Sequence, residues 1–259
     1  MNGAHHVSHD HFVQFYRADE PLLNRNVASF FWDALLRGDG LLVIATPERR
    51  ESLSNHLTHL GADVALAQRE GQLAMLDAQS SLLRFMVDGV PVWEAFEQAI
   101  PDALQLAIPR TPQGGVCAYG EMVGVLWEAG ETEAAIQLEE YWNRLLRRGG
   151  IRLFCGYPID VFAKDFRRDR IDDVLSAHTH VLPTGPNGDL SDVLNRAIEE
   201  FLGSRAGELR QAMKAHASCC GLSLPEAERA ILWLRSNLPD DAEQILASAR
   251  EHYEASHVA

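Results

Sequence analysis

"HFVQFYRADEPLL", residues 11–23, reads as a short apolar strand, then a loop, then the opening of a helix. In an α/β protein this is where a phosphate-binding loop sits, yet the stretch contains no glycine, lysine, serine or threonine. A phosphate loop needs glycines so that successive backbone N–H groups can curl around the anion, a lysine for charge and a hydroxyl for magnesium. Asp19 and Glu20 stand in the loop instead and would repel a triphosphate. The stretch therefore proposes a nucleotide-binding architecture and denies it the nucleotide.

Working outward, similar apolar, β-rich runs recur at "GLLVIAT" (40–46), "QLAMLD" (72–77), "GVCAYG" (115–120) and "IRLFCGY" (151–157), with helical patterns between them. Such alternation predicts an α/β fold, a mostly parallel sheet with helices on both faces. Helix starts are legible in Asp19 with Pro21, Thr46 followed by Pro47, and Asp77. Helix stops are legible in Gly38, Gly61, Gly130 and the pair Gly149–Gly150. The alternation ends at "VLPTGPNGDLSD" (181–192), whose prolines and glycines read as a linker. Beyond it, Leu190, Leu194, Ile198 and Phe201 begin one helical stripe, Ala227, Ile231, Leu234 and Leu238 a second, and Ala242, Ile245, Ala249 and Tyr253 a third. The organisation expected is a flexible N-terminus over 1–10, an α/β domain over 11–180, a linker over 181–189 and a small helical domain over 190–259. Three short helices are not expected to bury such stripes by themselves, so a homo-oligomer is expected.

Composition narrows the function classes. A chain of 259 residues, 46% hydrophobic, can bury a full core without disulfides. Its formal charge of −14 and pI near 5.2 oppose contact with phosphate backbones and anionic membranes. Arg144, Arg147 and Arg148 form a short basic run that suits the last turn of a helix, where the macrodipole favours cations. Neither a nucleic-acid nor a membrane partner is expected. Cys117, Cys155, Cys219 and Cys220 lack CxxC spacing and fit a reducing, cytoplasmic setting, and no secretory apolar segment is legible. "HHVSHDH" (5–11) gathers His5, His6, His9 and His11, but without a second cluster of matched spacing no metal site is expected. No catalytic nucleophile signature appears either, and Cys155, in mid-strand, is expected to be buried and inert.

Ligands of open α/β sheets sit outside the carboxyl ends of the strands, so the residues that follow each strand are the candidates. They are His11, Phe15, Tyr16 and Arg17 on the first strand, Thr46 after the second, Tyr119 and Glu121 at the fourth, and Tyr157 at the fifth. Glu121 can orient a ligand, or it can cap its own helix. Tyr16 and Phe15 can wall an aromatic pocket, or pack under the first helix.

The stretches "HFVQFYRADEPLL", "LLVIATPERRESL", "LAMLDAQSSLLRFMVDGVP" and above all "YGEMVGVLWEAGETEAAIQLEEYWNRL" resemble the MEDS domain, the sensory domain of methanogen and methylotroph regulators of the DcmR type. The resemblance covers roughly residues 11–177 and implies a RecA/KaiC-like fold that lacks the phosphate loop, and a role in sensing for prokaryotic signalling or transcriptional control. It also places Glu121 at the acidic strand end of a RecA-like ATPase. Neither a kinase region nor a helix-turn-helix with a basic flank is legible, and residues 190–259 resemble no family. The function expected is a non-enzymatic sensor without a cofactor, binding a small ligand or a segment of a signalling partner at the carboxyl edge and relaying it through the C-terminal helices. The alternatives are a diverged nucleotide-binding enzyme and a pure assembly module.

Overall fold

The computed structural model describes residues 10–17, 22–185, 189–217 and 224–257. Expectations for His5, His6 and His9, for Asp19, Glu20 and Pro21, and for Cys219 and Cys220 lie outside the described residues. The first half of the chain runs β1 (His11–Phe15), α1 (Leu22–Arg37), β2 (Gly40–Ala45), α2 (Pro47–His59), α3 (Val64–Arg69), β3 (Leu73–Asp77) and α4 (Ala78–Leu82). A hairpin of β4 (Met86–Val87) and β5 (Val90–Pro91) leads into α5 (Trp93–Leu104), β6 (Val116–Gly120), α6 (Met122–Glu128), α7 (Thr132–Leu146) and β7 (Ile151–Tyr157). There follow α8 (Arg168–Ala177), β8 (His180–Leu182), α9 (Asp189–Leu202), α10 (Ala206–Ala217), α11 (Glu226–Asn237) and α12 (Pro239–His257).

Six strands form one sheet in the order β3-β2-β6-β7-β1-β8, and every pairing in it is parallel. All five runs read as strands in the sequence are strands of this sheet. Their side chains alternate between two cores, as the pleat requires. On one face Leu41, Val43, Tyr119 and Phe154 pack under α1 and α2 through Leu23, Val27, Phe31, Leu53 and Leu57. On the other, Val13, Phe15, Leu42, Ile44, Cys155 and Tyr157 meet α4 to α8 through residues such as Phe96, Leu138, Trp142 and Val174. The helix signals hold. Thr46 and Asp77 accept from the N–H groups of Arg49 and Ser80, and each of the stop glycines has a positive φ that residues with a Cβ rarely adopt.

Residues 180–182, across the boundary expected between the α/β domain and the linker, pair with β1 as the short sixth strand, in register Phe12 to His180. Three residues are too few to show a period in the sequence. The C-terminal stripes also meet a different fate from the uncovered face expected of them. Leu190, Leu194 and Ile198 of α9, Ile231 and Leu234 of α11, and Ile245, Ala249 and Tyr253 of α12 are buried in the same continuous core as α5 to α8. Phe201 alone among the large apolar residues of these stripes is exposed.

Arg235 fixes this arrangement. From α11 it reaches the carbonyls of Val161, Phe162 and Phe166, in the loop after β7, at 3.2, 3.0 and 2.5 Å, and also holds Glu243 at 2.9 Å. Substituting Arg235→Met keeps the stem and removes the donors, so carbonyls that a charged group satisfied lose their partner. A loss of at least about 1.5–3 kcal/mol is expected by urea unfolding, and a cost within about 0.5 kcal/mol, the range for an ordinary surface substitution, would show that the guanidinium does not anchor the C-terminal helices.

Candidate functional site at the carboxyl edge of the sheet

Glu121 follows β6 directly, and its carboxylate does not cap α6. It faces across to the end of β2 instead. Oε2 accepts from the backbone N–H and the hydroxyl of Thr46 at 2.9 and 3.0 Å, and Oε1 accepts from Arg49 Nε at 2.8 Å. Thr46 thus does two tasks with one hydroxyl: the oxygen caps α2 and its proton goes to Glu121. The pair is well shielded, with side-chain exposures of 14% for Arg49 and 5% for Glu121. Arg49 donates its remaining reach to Asn24 Oδ1 at 2.7 Å and stacks over the Tyr16 ring at 4.9 Å. The Tyr16 hydroxyl lies 3.5 Å from Glu121 Oε1.

Tyr119 completes this edge from β6. Its hydroxyl is buried and has no hydrogen-bond partner among the described residues. Gly156 of β7 makes the space for it, because a Cβ there would lie 2.9 Å from the Tyr119 hydroxyl and 3.3 Å from the Tyr16 ring. Burial first, and the Glu121 charge second, push the ionisation of both Tyr16 and Tyr119 well up, so both phenols stay protonated donors.

A second polar cluster lies under the opposite face. Glu139 stands on the buried side of α7 between Ala135, Leu138 and Trp142, fully enclosed. Its Oε1 accepts from the Tyr157 hydroxyl at 2.9 Å and lies 3.3 Å from His178 Nε2, while Oε2 lies 3.3 Å from His11 Nε2 and 3.7 Å from Cys155 Sγ. Burial disfavours the carboxylate, but His178 and His11 outweigh it and hold Glu139 below the usual carboxylate range. Burial, with His178 second, pushes His11 down, and burial with Glu139 pushes the Cys155 thiol up.

The eight residues expected to line one site therefore divide. Tyr16, Thr46, Tyr119 and Glu121 come together at the carboxyl edge. His11 and Tyr157 are drawn to the opposite face by strand alternation, and Phe15 is core, edge-on to Phe166. Arg17 turns to the C-terminal helices and pairs with Glu254 of α12 at 3.4 Å. Sequence reasoning missed Arg49 and Asn24, which lie on helices and give no strand-end signal. Glu139 had a signal, a carboxylate on an otherwise apolar helical stripe.

The chain is thus an α/β protein with a six-stranded parallel sheet that carries a shielded ionic cluster at its carboxyl edge. The family model of the MEDS domain, the MEthanogen/methylotroph, DcmR Sensory domain, matches residues 10–179, and the chain belongs to that family. No curated protein is significantly similar to it.

Removing one member of a buried ion pair leaves the other uncompensated, at a typical cost of about 3–5 kcal/mol. Glu121→Ala is expected to cost that much in urea unfolding, whereas loss of a mere helix-end carboxylate costs about 0.3–1 kcal/mol. In a double-mutant cycle with Arg49→Met the two losses should fall well short of additive.

Proposed function

We propose that the chain is a non-enzymatic sensory module whose ligand engages the carboxyl edge at Tyr16, Thr46, Tyr119 and Glu121. The observation that carries this is the Tyr119 hydroxyl, a buried donor without a partner among the described residues, beside a carboxylate already engaged by Thr46 and Arg49. An unsatisfied buried hydroxyl costs about 1–3 kcal/mol, and a bound molecule with one acceptor recovers it. The ligand class that fits is small and partly apolar, since the edge offers two aromatic rings and few uncommitted polar groups. The match to a sensory family supports the role.

The relay runs from the end of β1. Arg17 pairs with Glu254, and α12 is tied further to the loop after β7 by Arg250 on Asp160. A ligand that displaces the Tyr16 ring shifts Arg17, the next residue, and with it the purchase of α12. The output is a change in how the C-terminal helices meet a signalling partner or a second copy, in the cytoplasm, with transcription as one process under such control.

Two measurements test this. Native mass spectrometry of the full chain from its own host is expected to show a retained small molecule, and Tyr119→Phe is expected to raise the stability of the ligand-free protein while diminishing the thermal shift that molecule confers. An unchanged shift removes the hydroxyl from the site. ATP and GTP with magnesium are expected to give no calorimetric binding, because Glu121 already occupies Arg49 and the Thr46 N–H, and micromolar affinity for either would favour the enzyme instead.

A further inference from the structure

The cluster around Glu139 has an unusual arrangement of lone pairs. His11 Nε2, His178 Nε2, Cys155 Sγ and the Glu139 carboxylate lie within 4.8 Å of one another, and all four residues are buried. Each imidazole spends its other nitrogen on an acceptor. His11 Nδ1 is 3.0 Å from Asn143 Oδ1 and 3.1 Å from the Ala177 carbonyl, and His178 Nδ1 is 2.6 Å from the Val174 carbonyl. The amide N–H of Asn143 is itself given to Ala177, at 2.8 Å, so its oxygen is what faces His11. Both Nδ1 atoms therefore carry the proton, and both Nε2 lone pairs point at a carboxylate that has only lone pairs to offer. His178 Nε2, wholly buried, has no hydrogen-bond partner among the described residues.

Such a set needs positive charge at its centre. One extra proton gives a neutral imidazolium–carboxylate pair whose second Nε2 can take only the weak thiol proton of Cys155, 3.4 Å from His11 Nε2, and two leave a net charge of +1 in the core. A divalent ion with one carboxylate and one thiolate is neutral. The distances also suit an ion. Ligand bonds of about 2.0–2.3 Å at tetrahedral angles imply separations of about 3.3–3.6 Å between ligand atoms. Here His11 Nε2 is 3.3 Å from Glu139 Oε2 and 3.4 Å from Cys155 Sγ, Cys155 Sγ is 3.7 Å from Oε2, and His178 Nε2, 3.3 Å from Oε1, completes a set that lies within 4.8 Å.

We propose that His11, Glu139, Cys155 and His178 form a closed, four-ligand site for a divalent transition ion of the zinc class. Imidazole and thiolate donors select zinc, iron(II) or cobalt(II) over calcium or magnesium. The outer contacts match those of metal ligands generally: each histidine is held by a carbonyl on its far nitrogen, and Tyr157 fixes Glu139 Oε1, leaving Oε2 for the ion. Asn143 and Ala177, which touch His11, also line an open surface cleft together with Glu140, Asp173, Arg144 and Arg147. A bound ion ties β1, β7, α7 and the end of α8 together at one point, beneath the strands whose carboxyl ends carry the sensory edge.

Cobalt(II) is the probe. The full chain, reduced and stripped with chelator, is expected to take up cobalt with a thiolate-to-metal charge-transfer absorption in the near ultraviolet and the strong visible bands of tetrahedral coordination. Zinc should displace it and raise the melting temperature. Cys155→Ser should abolish the charge-transfer band, Cys219→Ala and Cys220→Ala should retain it, and Tyr157→Phe should weaken affinity about 10–100-fold. Should Cys155→Ser fail to fold, the wild-type spectrum and the two control variants still decide. A wild-type spectrum without the charge-transfer band would mean that cobalt, if bound, sits on other histidines and that protons fill the cluster, and a band lost with Cys219 or Cys220 would place the ion elsewhere; either overturns the assignment.

Discussion

Strand β1 is hydrogen-bonded on both sides, to β7 and to β8, and that enclosure governs the polar chemistry of the chain. A strand buried on both faces must send successive side chains into opposite cores. His11, Val13 and Phe15 enter one core, whereas Phe12 packs against the other and Tyr16 closes its upper end. The two polar clusters are therefore separated by the sheet itself, although residues of the same five-residue strand and its immediate extension reach both. Each cluster is assembled from elements distant in sequence: β1 with α7, β7 and the end of α8 on one side, β1 with β6 and the start of α2 on the other. Slipping β1 by one residue would exchange every one of these partners.

The carboxyl edge shows how one carboxylate can replace a capping interaction with a longer-range one. Glu121 precedes a helix and would be well placed at its N-terminus, yet Thr46 and Arg49 offer three donors to its two oxygens. Charge-assisted bonds in a shielded place outweigh the dipole of a seven-residue helix. The consequence is mechanical as well as energetic. Since Thr46 begins α2, the carboxylate ties the end of β6 to the start of the second helix.

The fold was legible in the sequence to the degree that its elements were long and periodic. All five longer strands were readable because buried parallel strands are continuous apolar runs, and Thr46, Asp77 and the stop glycines marked helix ends through local chemistry alone. β8, with three residues, and α10, whose "AGELRQAMKAHA" carries only Leu209 and Met213 as large apolar residues, fell below what periodicity detects. At the edge, Tyr16, Thr46, Tyr119 and Glu121 were legible because they stand at strand ends. Arg49 was not, since an arginine in the first turn of a helix ordinarily faces water, and only the neighbouring strand makes it an internal partner. His11, Cys155 and Tyr157 were each visible as residues but not as a group. Their common partner, Glu139, lies on a helix that only the tertiary fold brings beneath them.

The loop without glycine or lysine at residues 11–23 finds its physical sense in this edge. A phosphate site works by leaving backbone donors and a cation unsatisfied until the anion arrives. Here the cation, Arg49, is satisfied from within by Glu121, and the backbone N–H of Thr46 is spent on the same carboxylate. Glu121 thus stands toward Arg49 and Thr46 as a phosphate would stand toward its lysine and loop, so the internal anion competes with any external one at every contact. Displacing it would strand a buried carboxylate at several kcal/mol. Among the described residues the Tyr119 hydroxyl, a neutral donor beside aromatic surface, has no hydrogen-bond partner, and the ligand proposed above would meet it with an uncharged acceptor on an apolar body.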